Sequence, residues 1–353
     1  MPRTSPSLPL IGVNAVALAA GVSAMTVSRV FQNSPRVLPE TRDRVLAAAQ
    51  KSGYRPNPQA ARLMEIVRSH RSRHTRAMIG LIRDIPSNGS PQGEIINYVG
   101  IEDIRRRAGQ HGYDVEEFRL GRGGVSPARL RAILQARGIT GVLVSVQSPT
   151  PLSEQFDYGG LASATFGYGL ASPQLHRAST NMTQGILAAT AKLEARGYQR
   201  IGMAISPWID ARADHTYSGA LLHYQQTVPA RRRVPLLMPE NISRQGKTIF
   251  TDWMHRHRPD VVISFHASVP QWLRDGLKLR IPEDVGLVVH DWVDEPGMAG
   301  FAGINHRRSH VAAAAVDLVA TQLRHNEQGV PEVPRQILIP PLFVDGPSIR
   351  PAS

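Results

Sequence analysis

The chain has 353 residues, no cysteine and a formal net charge of +13. Without cysteine, a disulfide framework and a thiolate metal site are excluded, and no apolar run is long enough to predict a membrane span. The first ten residues, MPRTSPSLPL, lack the apolar stretch of a signal peptide. These features favour a cytoplasmic protein with one small domain and one large or two medium ones.

The positive charge is concentrated at the N-terminus. Residues 1–76 hold twelve Lys and Arg against three Asp and Glu, a net of +9. A basic excess gathered in one region is typical of a polyanion partner such as nucleic acid. An ordinary solvated surface would explain the preference for Arg over Lys, but it would not explain this asymmetry.

The spacing of small and apolar residues predicts a short helix over Val13–Ala20. Gly21 ends it, because glycine adopts a left-handed turn at little energetic cost. Ser23 is a favoured N-cap, so a second helix is predicted from about Ala24 to Gln32. A third helix begins at Pro39 and runs to Lys51. The pattern is that of a helix-turn-helix unit.

The second helix of such a unit lies in the DNA major groove, with its N-terminal residues at the base edges. Val27 and Val30 are predicted to face inward with Phe31. The residues left on the exposed side are Ala24, Met25, Thr26, Ser28 and Arg29. Arg29 suits guanine because its planar fork matches the paired acceptors there. Thr26 and Ser28 suit phosphate oxygens, while Ala24 and Met25 offer apolar contact.

A family resemblance is carried by the run AVALAAGVSAMTVSRVFQ, followed by VLPETRDRVLAAAQKSGYRPN and a short Ala-rich segment ending in Leu63. This stretch resembles the headpiece and hinge of the lactose/galactose-repressor (LacI/GalR) family of bacterial transcription regulators. The resemblance implies base contacts for Ala24, Met25 and Arg29, and backbone contacts for Thr26, Ser28, Asn33, Tyr54 and Asn57. It also implies that Leu63 wedges into the minor groove. Departures are Gly12 and Ala15 at the start of the first helix, and a longer, more basic connector over Met64 to Ala77.

Beyond the connector, buried-type strands alternate with amphipathic helices, which predicts crossover connections and parallel sheets. Predicted strands lie at Ala77 to Ile82, Tyr113 to Phe118, Gly141 to Val146, Ala162 to Phe166, Arg200 to Ile205, Leu236 to Met238, Val261 to Phe265 and Val285 to Val289. A long helix is predicted from Ser309 to Arg324, followed by a terminal segment around Ile337 to Phe343. The predicted fold is an all-α helix-turn-helix headpiece followed by an α/β core of two doubly wound parallel-sheet lobes.

The predicted domains follow this pattern. Residues 1–11 form a disordered tail, 12–57 the headpiece and 58–77 a hinge helix and linker. Residues 78–353 form an effector-binding and dimerisation core. Its first lobe spans about 78–178 plus 304–330, and its second lobe about 179–303 plus 331–353.

The core also resembles the family's effector-binding core, which is similar to periplasmic sugar-binding proteins, through LEARGYQRIGM and RIPEDVGLVVHD. The resemblance implies a ligand between the lobes at the carboxyl ends of strands, and it implies that Asp291 faces this ligand. Several departures prevent the wholesale transfer of sugar or purine contacts: Thr216 replaces an Arg, with Arg212 one turn earlier, and His266 stands in place of an Asn-Asp turn. The candidate ligand-binding residues are Asp84, Trp208, Arg212, His266, Asp291 and Trp292, with Asp210 also at a strand end.

The resulting hypothesis is a repressor that binds a near-palindromic DNA operator as a homodimer, with operator affinity gated by a small molecule, for which a carbohydrate is the first choice. One alternative is a regulator whose core has lost small-molecule binding and serves as a dimerisation platform; another is a solute-binding protein. No HExxH, P-loop or GxSxG signature occurs, so no enzyme, metal site or cofactor is predicted.

Overall fold

The computed structural model describes residues 13–31, 37–52, 54, 77–84, 99–121, 123–146, 151–239 and 242–352. The chain divides into two compact units, Met1–Thr75 and Arg76–Ser353. The predicted tail and most of the predicted hinge lie outside the described residues. None of the helices in the described part of the chain combines the length and apolar character needed to cross a membrane.

The N-terminal unit contains helices α1 (Val13–Ala20), α2 (Ala24–Phe31) and α3 (Pro39–Lys51). Gly21 turns the chain between the first two with φ +64°, as the sequence predicts. Ser23 caps α2, its Oγ accepting a hydrogen bond from the Thr26 amide at 3.1 Å. The core of this unit is made by Val16, Val27, Val30 and Val45, all almost completely buried.

The first lobe of the second unit is built on a six-stranded parallel sheet. Its strands are β1 (Ala77–Asp84), β2 (Tyr113–Leu120), β3 (Gly141–Val146), β4 (Ala162–Phe166), β5 (His176–Thr180) and β10 (Gln336–Ile339), in the order β10-β5-β4-β3-β1-β2. Helices α4 (Ile101–Gln110) and α5 (Pro127–Ala136) connect them. Most of these strands are buried along their length, as parallel strands covered on both faces must be.

The second lobe contains a five-stranded sheet in the order β11-β9-β8-β7-β6. Its strands are β6 (Ile201–Ala204), β7 (Val261–Ser264), β8 (Gly286–Val289), β9 (Ala302–Asn305) and β11 (Leu342–Val344); β11 is antiparallel to β9 and the other pairs are parallel. Its helices are α6 (Met182–Glu194), α7 (Pro207–Arg212), α8 (Thr216–Thr227) and α9 (Ile242–His257), followed by short turns at Val269–Gln271 and Trp272–Gly276.

The chain crosses between the lobes three times: from β5 into α6, from β9 into α10 (Arg308–His325), and from β10 into β11. Helix α10 leaves the second-lobe sheet and packs on the first lobe, where Val311, Val316 and Val319 join the first-lobe core. The two lobes are therefore linked by three short segments, near Asn181, His306 and Pro340.

Three details differ from the sequence prediction. Strand β10 pairs with β5 of the first lobe, although residues 331–353 were assigned to the second lobe; Ile337 and Ile339 pack against first-lobe residues and draw the strand there. Strands β5 and β9 were not predicted, because one is polar in sequence and both are short. Leu236 to Met238 forms a single bridge, Leu237 to Ala204, and not a strand.

Candidate DNA-recognition helix and effector cleft

Helix α2 has one buried face and one open face. Val27 and Val30 pack into the headpiece core, while Met25 is 62 % exposed and Arg29 is exposed. Ala24 and Thr26 are half-buried, and Ala24 also contacts the core. Met25 and Arg29, four residues apart, therefore share the accessible face of a helix whose opposite side is fixed by packing.

The predicted backbone-contacting residues have mixed positions. The Thr26 and Ser23 hydroxyls share a hydrogen bond of 2.9 Å, so Thr26 also supports the N-terminus of the helix. Tyr54 is half-buried and packs edge-on against Phe31, with ring centroids 5.8 Å apart, which anchors the chain end to α2. Asn33, Asn57 and Leu63 lie outside the described residues, as does the side chain of Ser28.

A cleft of about 320 Å³ is lined by residues of both lobes. From the first lobe it is lined by the segments that follow β3 and β4 and by the first residues of β5 and β10; from the second it is lined by α7 and Asp214. Its side chains include Glu154, Tyr168, Gln174, Arg177, Trp208, Arg212 and Asp214. Of the predicted ligand-binding residues, the cleft brings together Trp208 and Arg212.

The pairing of Trp208 and Arg212 has a local origin. Ser206 caps α7, accepting a hydrogen bond from the Ile209 amide at 3.3 Å, and Pro207 follows at the first helical position. This cap and proline make a short helix of the segment that follows β6. Trp208 and Arg212 thus lie one turn apart on one face, and the guanidinium carbon lies 4.3 Å from the indole centroid.

Asp84 and Asp210 stabilise the fold of the core through hydrogen bonds. Asp84 is 2 % exposed and accepts hydrogen bonds from the Ser153 amide at 2.6 Å and the Ser153 hydroxyl at 2.7 Å, so it anchors the turn after β3. Asp210 accepts from the Ser218 amide at 3.0 Å and the Ser218 hydroxyl at 2.7 Å, which joins α7 to α8. Neither aspartate lines the cleft.

Asp291 lies just after β8 and forms an ion pair with Arg308. One of its oxygens, Oδ1, is buried and has no hydrogen-bond partner within the described residues. Arg308 is the first residue of α10, the helix that packs on the first lobe. The ion pair therefore connects the end of a second-lobe strand to an element of the first lobe.

Next to Asp291, a buried aromatic cluster surrounds His290. Its ring stacks on Phe265 at 3.7 Å and meets the edge of Tyr217 at 4.8 Å, and the ring of His306 lies 4.5 Å away. Burial first, and then the nearby His306 and Arg308, lower the pKa of His290 well below its usual value of 6.5. Burial likewise lowers the pKa of His306. Both imidazoles are held neutral at neutral pH.

His266 and Trp292 are held by the second lobe itself. The His266 ring lies parallel to Trp272 with centroids 5.0 Å apart, its Nδ1 accepts from the Ser268 amide at 3.1 Å, and burial lowers its pKa. The Trp292 indole N–H donates to the carbonyls of Met298 and Phe301 at 3.3 and 3.2 Å. Neither side chain lines the cleft, so both lie apart from Trp208 and Arg212, the two predicted residues that do.

Sequence reasoning missed Arg177, Tyr168 and Arg308. Arg177 and Tyr168 line the cleft, with the guanidinium carbon 5.0 Å from the tyrosine ring; Arg308 pairs with Asp291. No local motif marks these residues, because their roles depend on which strands become neighbours. Within the described residues, no group of three or more His, Asp or Glu side chains is arranged to hold a metal ion.

The family model for bacterial regulatory proteins of the lacI family matches residues 13–57. The HTH-type transcriptional repressor PurR of Klebsiella pneumoniae (strain 342) is 28 % identical over 293 residues, which cover 78 % of this chain and 79 % of PurR. A crystal structure of the lac repressor dimer bound to operator and the anti-inducer ONPF has a TM-score of 0.54 and 18 % identity, covering 96 % of this chain and 98 % of that one.

A transcriptional regulator CelR-cellobiose complex has a TM-score of 0.57 and 20 % identity, covering 96 % of this chain and 99 % of that one. At these identities the two structures establish the shared fold: a helix-turn-helix unit joined to a core of two α/β lobes. The headpiece match and the sequence similarity over most of the chain agree with that fold. The helix-turn-helix unit of the chain matches the LacI family of bacterial regulatory proteins, and most of the chain is similar in sequence to a repressor of that family.

Proposed function

We propose that this chain is a sequence-specific DNA-binding transcriptional repressor whose operator affinity is gated by a small molecule in the interlobe cleft. The DNA-binding part of this proposal rests on helix α2, in which Val27 and Val30 pack inward and Met25 and Arg29 face outward. A guanidinium on the open face of such a helix can form paired hydrogen bonds with guanine. An apolar Met can contact a thymine methyl group.

The charge distribution supports a DNA partner. Residues 1–76 carry a net charge of +9 out of +13 for the chain. Each Lys or Arg that neutralises a phosphate releases counterions, so operator binding by this region should weaken steeply as salt rises. We assign residues 12–57 to DNA recognition and residues 58–77 to a hinge that also contacts DNA.

The relatives support repression, dimerisation and a small effector. PurR is named a transcriptional repressor, the lac repressor structure is a dimer bound to operator, and the CelR structure holds cellobiose. By extension, we infer that this chain acts as a homodimer on a near-palindromic operator, with a sugar or related metabolite as effector. We also infer that it is a regulator and not an enzyme, and that it works in the cytoplasm, where bacterial DNA is found.

The core geometry offers a means of coupling. The Asp291–Arg308 ion pair joins the two lobes beside their crossovers, so lobe closure and this contact depend on one another. A ligand that favours one degree of closure would shift the separation of the two hinges in a dimer. The ligand could change the operator affinity only to the extent that it binds one degree of lobe closure more tightly than the other.

A second candidate function is a DNA-binding regulator whose core serves as a dimerisation platform. One observation favours it: Asp291, which the family resemblance makes a ligand contact, is already engaged by Arg308. In that case the arrangement of the lobes would not depend on a ligand.

The test is selection of bound sequences from a random DNA pool, followed by operator binding across a panel of sugars and metabolites. A selected palindrome whose affinity changes with one class of compound supports the effector-gated repressor. A palindrome with no responsive compound favours the platform. Failure to enrich any sequence would refute DNA recognition by α2.

A further inference from the structure

Two arginines in the interlobe cleft, Arg177 and Arg212, have no carboxylate partner among the described residues. Four other partly buried arginines of the core are paired: Arg83 with Glu117, Arg107 with Asp317, Arg196 with Asp345, and Arg308 with Asp291. Arg200 and Arg350 donate instead to backbone carbonyls, as Arg177 does. Buried charges are normally paired because desolvation without compensation is costly. The two cleft arginines therefore have no carboxylate within ion-pair distance among the described residues, unlike these four.

The two guanidiniums differ in how they are used. Arg177 is 7 % exposed, and its terminal nitrogens donate to the carbonyls of Gly167 and Leu170. Those bonds fix the first-lobe wall of the cleft. Within the described residues, Arg212 makes one long hydrogen bond, 3.4 Å from Nη2 to the Val146 carbonyl. Its other donors have no partner among those residues, so they can serve a molecule in the cleft.

Arg212 is nevertheless held in place. Its guanidinium lies over the Trp208 ring at 4.3 Å, and such stacking leaves the nitrogen atoms at the edge of the guanidinium free to donate. Asp210 fixes α7 to α8 through Ser218, so the helix that carries Arg212 is itself anchored. Trp208 thus acts as a platform for the arginine, and the arginine is preorganised for a planar acceptor.

The acids of the cleft lie at its edge. Glu154 and Asp214 are exposed, and within the described structure neither lies within ion-pair distance of Arg177 or Arg212. Burial lowers the pKa of Arg177, and the charge of Asp214 raises it by a smaller amount. Solvent screens exposed charges, whereas a desolvated guanidinium keeps a strong local field. Burial also lowers the pKa of Arg212, as expected for a cation that lacks an anionic neighbour.

We propose that the effector carries a carboxylate, which binds the Arg212 guanidinium in the cleft. This inference rests on the proposed function and specifies the class of effector. A carboxylate accepts two parallel hydrogen bonds from a guanidinium. A cleft of about 320 Å³ suits a molecule of monosaccharide size, such as a sugar acid. Glu154 and Asp214 at the rim disfavour a phosphate, because a phosphate carries more negative charge than a carboxylate and is repelled more strongly by these acids.

The experiment compares matched pairs of ligands on the full-length protein. Glucuronate and glucose, galacturonate and galactose, and gluconate and sorbitol are tested by the shift in melting temperature and by calorimetry, with glucose 6-phosphate as the phosphate probe. We expect an acid to raise the melting temperature by several degrees at millimolar concentration, with its neutral partner and the phosphate giving no shift.

Variants assign the binding to Arg212. Arg212→Gln should weaken the acid about tenfold or more, and Arg212→Lys, which retains the charge without the planar fork, should weaken it less. The control is Arg280→Gln, which removes the same charge from an exposed second-lobe pair with Asp284; it should leave acid affinity unchanged. The melting temperature of each variant without ligand shows whether it is folded.

Several results would overturn the proposal: no acid in the panel binds, a neutral sugar or the phosphate binds as tightly as the acid, or Arg212→Gln binds the acid like the unaltered chain. Operator selection is repeated with Arg212→Gln, because Arg212 lies outside the headpiece. If the protein still selects an operator but responds to a neutral compound, the proposed carboxylate is refuted and the proposed function stands. If the unaltered chain selects no operator, the proposed function is refuted.

Discussion

Asp291 and Arg308 form an ion pair that ties the end of β8 in the second lobe to the start of α10, the helix that packs on the first lobe. The two residues are seventeen positions apart and belong to elements separated by β9 and a crossover. One Asp291 oxygen is buried without a hydrogen-bond partner among the described residues. The pair is therefore both a link between the lobes and a site of incompletely satisfied charge.

Replacing Arg308 should destabilise the core. Arg308→Ala leaves Asp291 half-buried without its cation, which should lower the free energy of unfolding by about 1 to 3 kcal/mol. Denaturant unfolding measures the change. The matched control is Arg280→Ala, whose exposed partner is Asp284 and whose effect should stay below about 1 kcal/mol. Equal effects of the two variants would show that the Arg308 pair has no special role.

Replacing Arg29 should relax DNA specificity. Arg29→Ala removes the guanidinium from the open face of α2, which should cost about 1 to 3 kcal/mol at one base pair of each half-site. Binding to a set of single-base operator variants measures the preference. Arg44→Ala removes the same charge from an exposed position on α3 and should weaken all sequences alike. A uniform loss for Arg29→Ala would mean that Arg29 contacts the DNA backbone only.

The buried histidines should make the core sensitive to acid. The folded pKa of His290 lies well below 6.5 because burial, His306 and Arg308 all disfavour its cation. Below about pH 6.5 the unfolded chain binds a proton that the folded chain cannot bind, so this stability is complete above that pH and is lost as pH falls towards the folded pKa. The loss should approach about 1.4 kcal/mol per pH unit for each such histidine.

A variant separates His290 from the other titrating groups. His290→Phe keeps an aromatic ring stacked on Phe265 but cannot take up a proton, so the stability of this variant should fall less steeply as the pH drops below about 6.5. His255→Phe, at an exposed position in the last turn of α9, is the control. An unchanged pH slope in His290→Phe would assign the acid sensitivity elsewhere.

The N-cap of α2 should contribute measurably to headpiece stability. Ser23→Ala removes the acceptor of the Thr26 amide and should lower stability by about 1 kcal/mol. Ser23→Asp should restore most of it, because a carboxylate accepts the same bond and interacts favourably with the helix N-terminus. Hydrogen exchange of the α2 amides measures the local effect. Failure of Ser23→Asp to recover protection would argue against a capping role.

Local signals in the sequence are sufficient for the headpiece. Gly21, Ser23 and Pro39 mark helix ends through backbone preferences that do not depend on distant residues, and the observed α1 and α3 have the predicted bounds. Strand β3, an uninterrupted apolar run, is likewise as predicted. Strand β5 was missed because His176 and Arg177 are polar. They are buried only because the Arg335 amide donates to His176, and the carbonyls of Gly167 and Leu170 accept from Arg177.

The amino-acid sequence alone thus determined the helix-turn-helix unit, the two-lobed α/β class, and the resemblance to the LacI family. Each of these depends on periodicity, caps and runs of adjacent residues. The partners of Arg308, Arg212 and Arg177, and the lobe that receives β10, were decided by tertiary structure. These features depend on which chain segments become neighbours after three crossovers, and a guanidinium in a linear sequence carries no sign of whether folding will bring it a carboxylate or leave it unpaired.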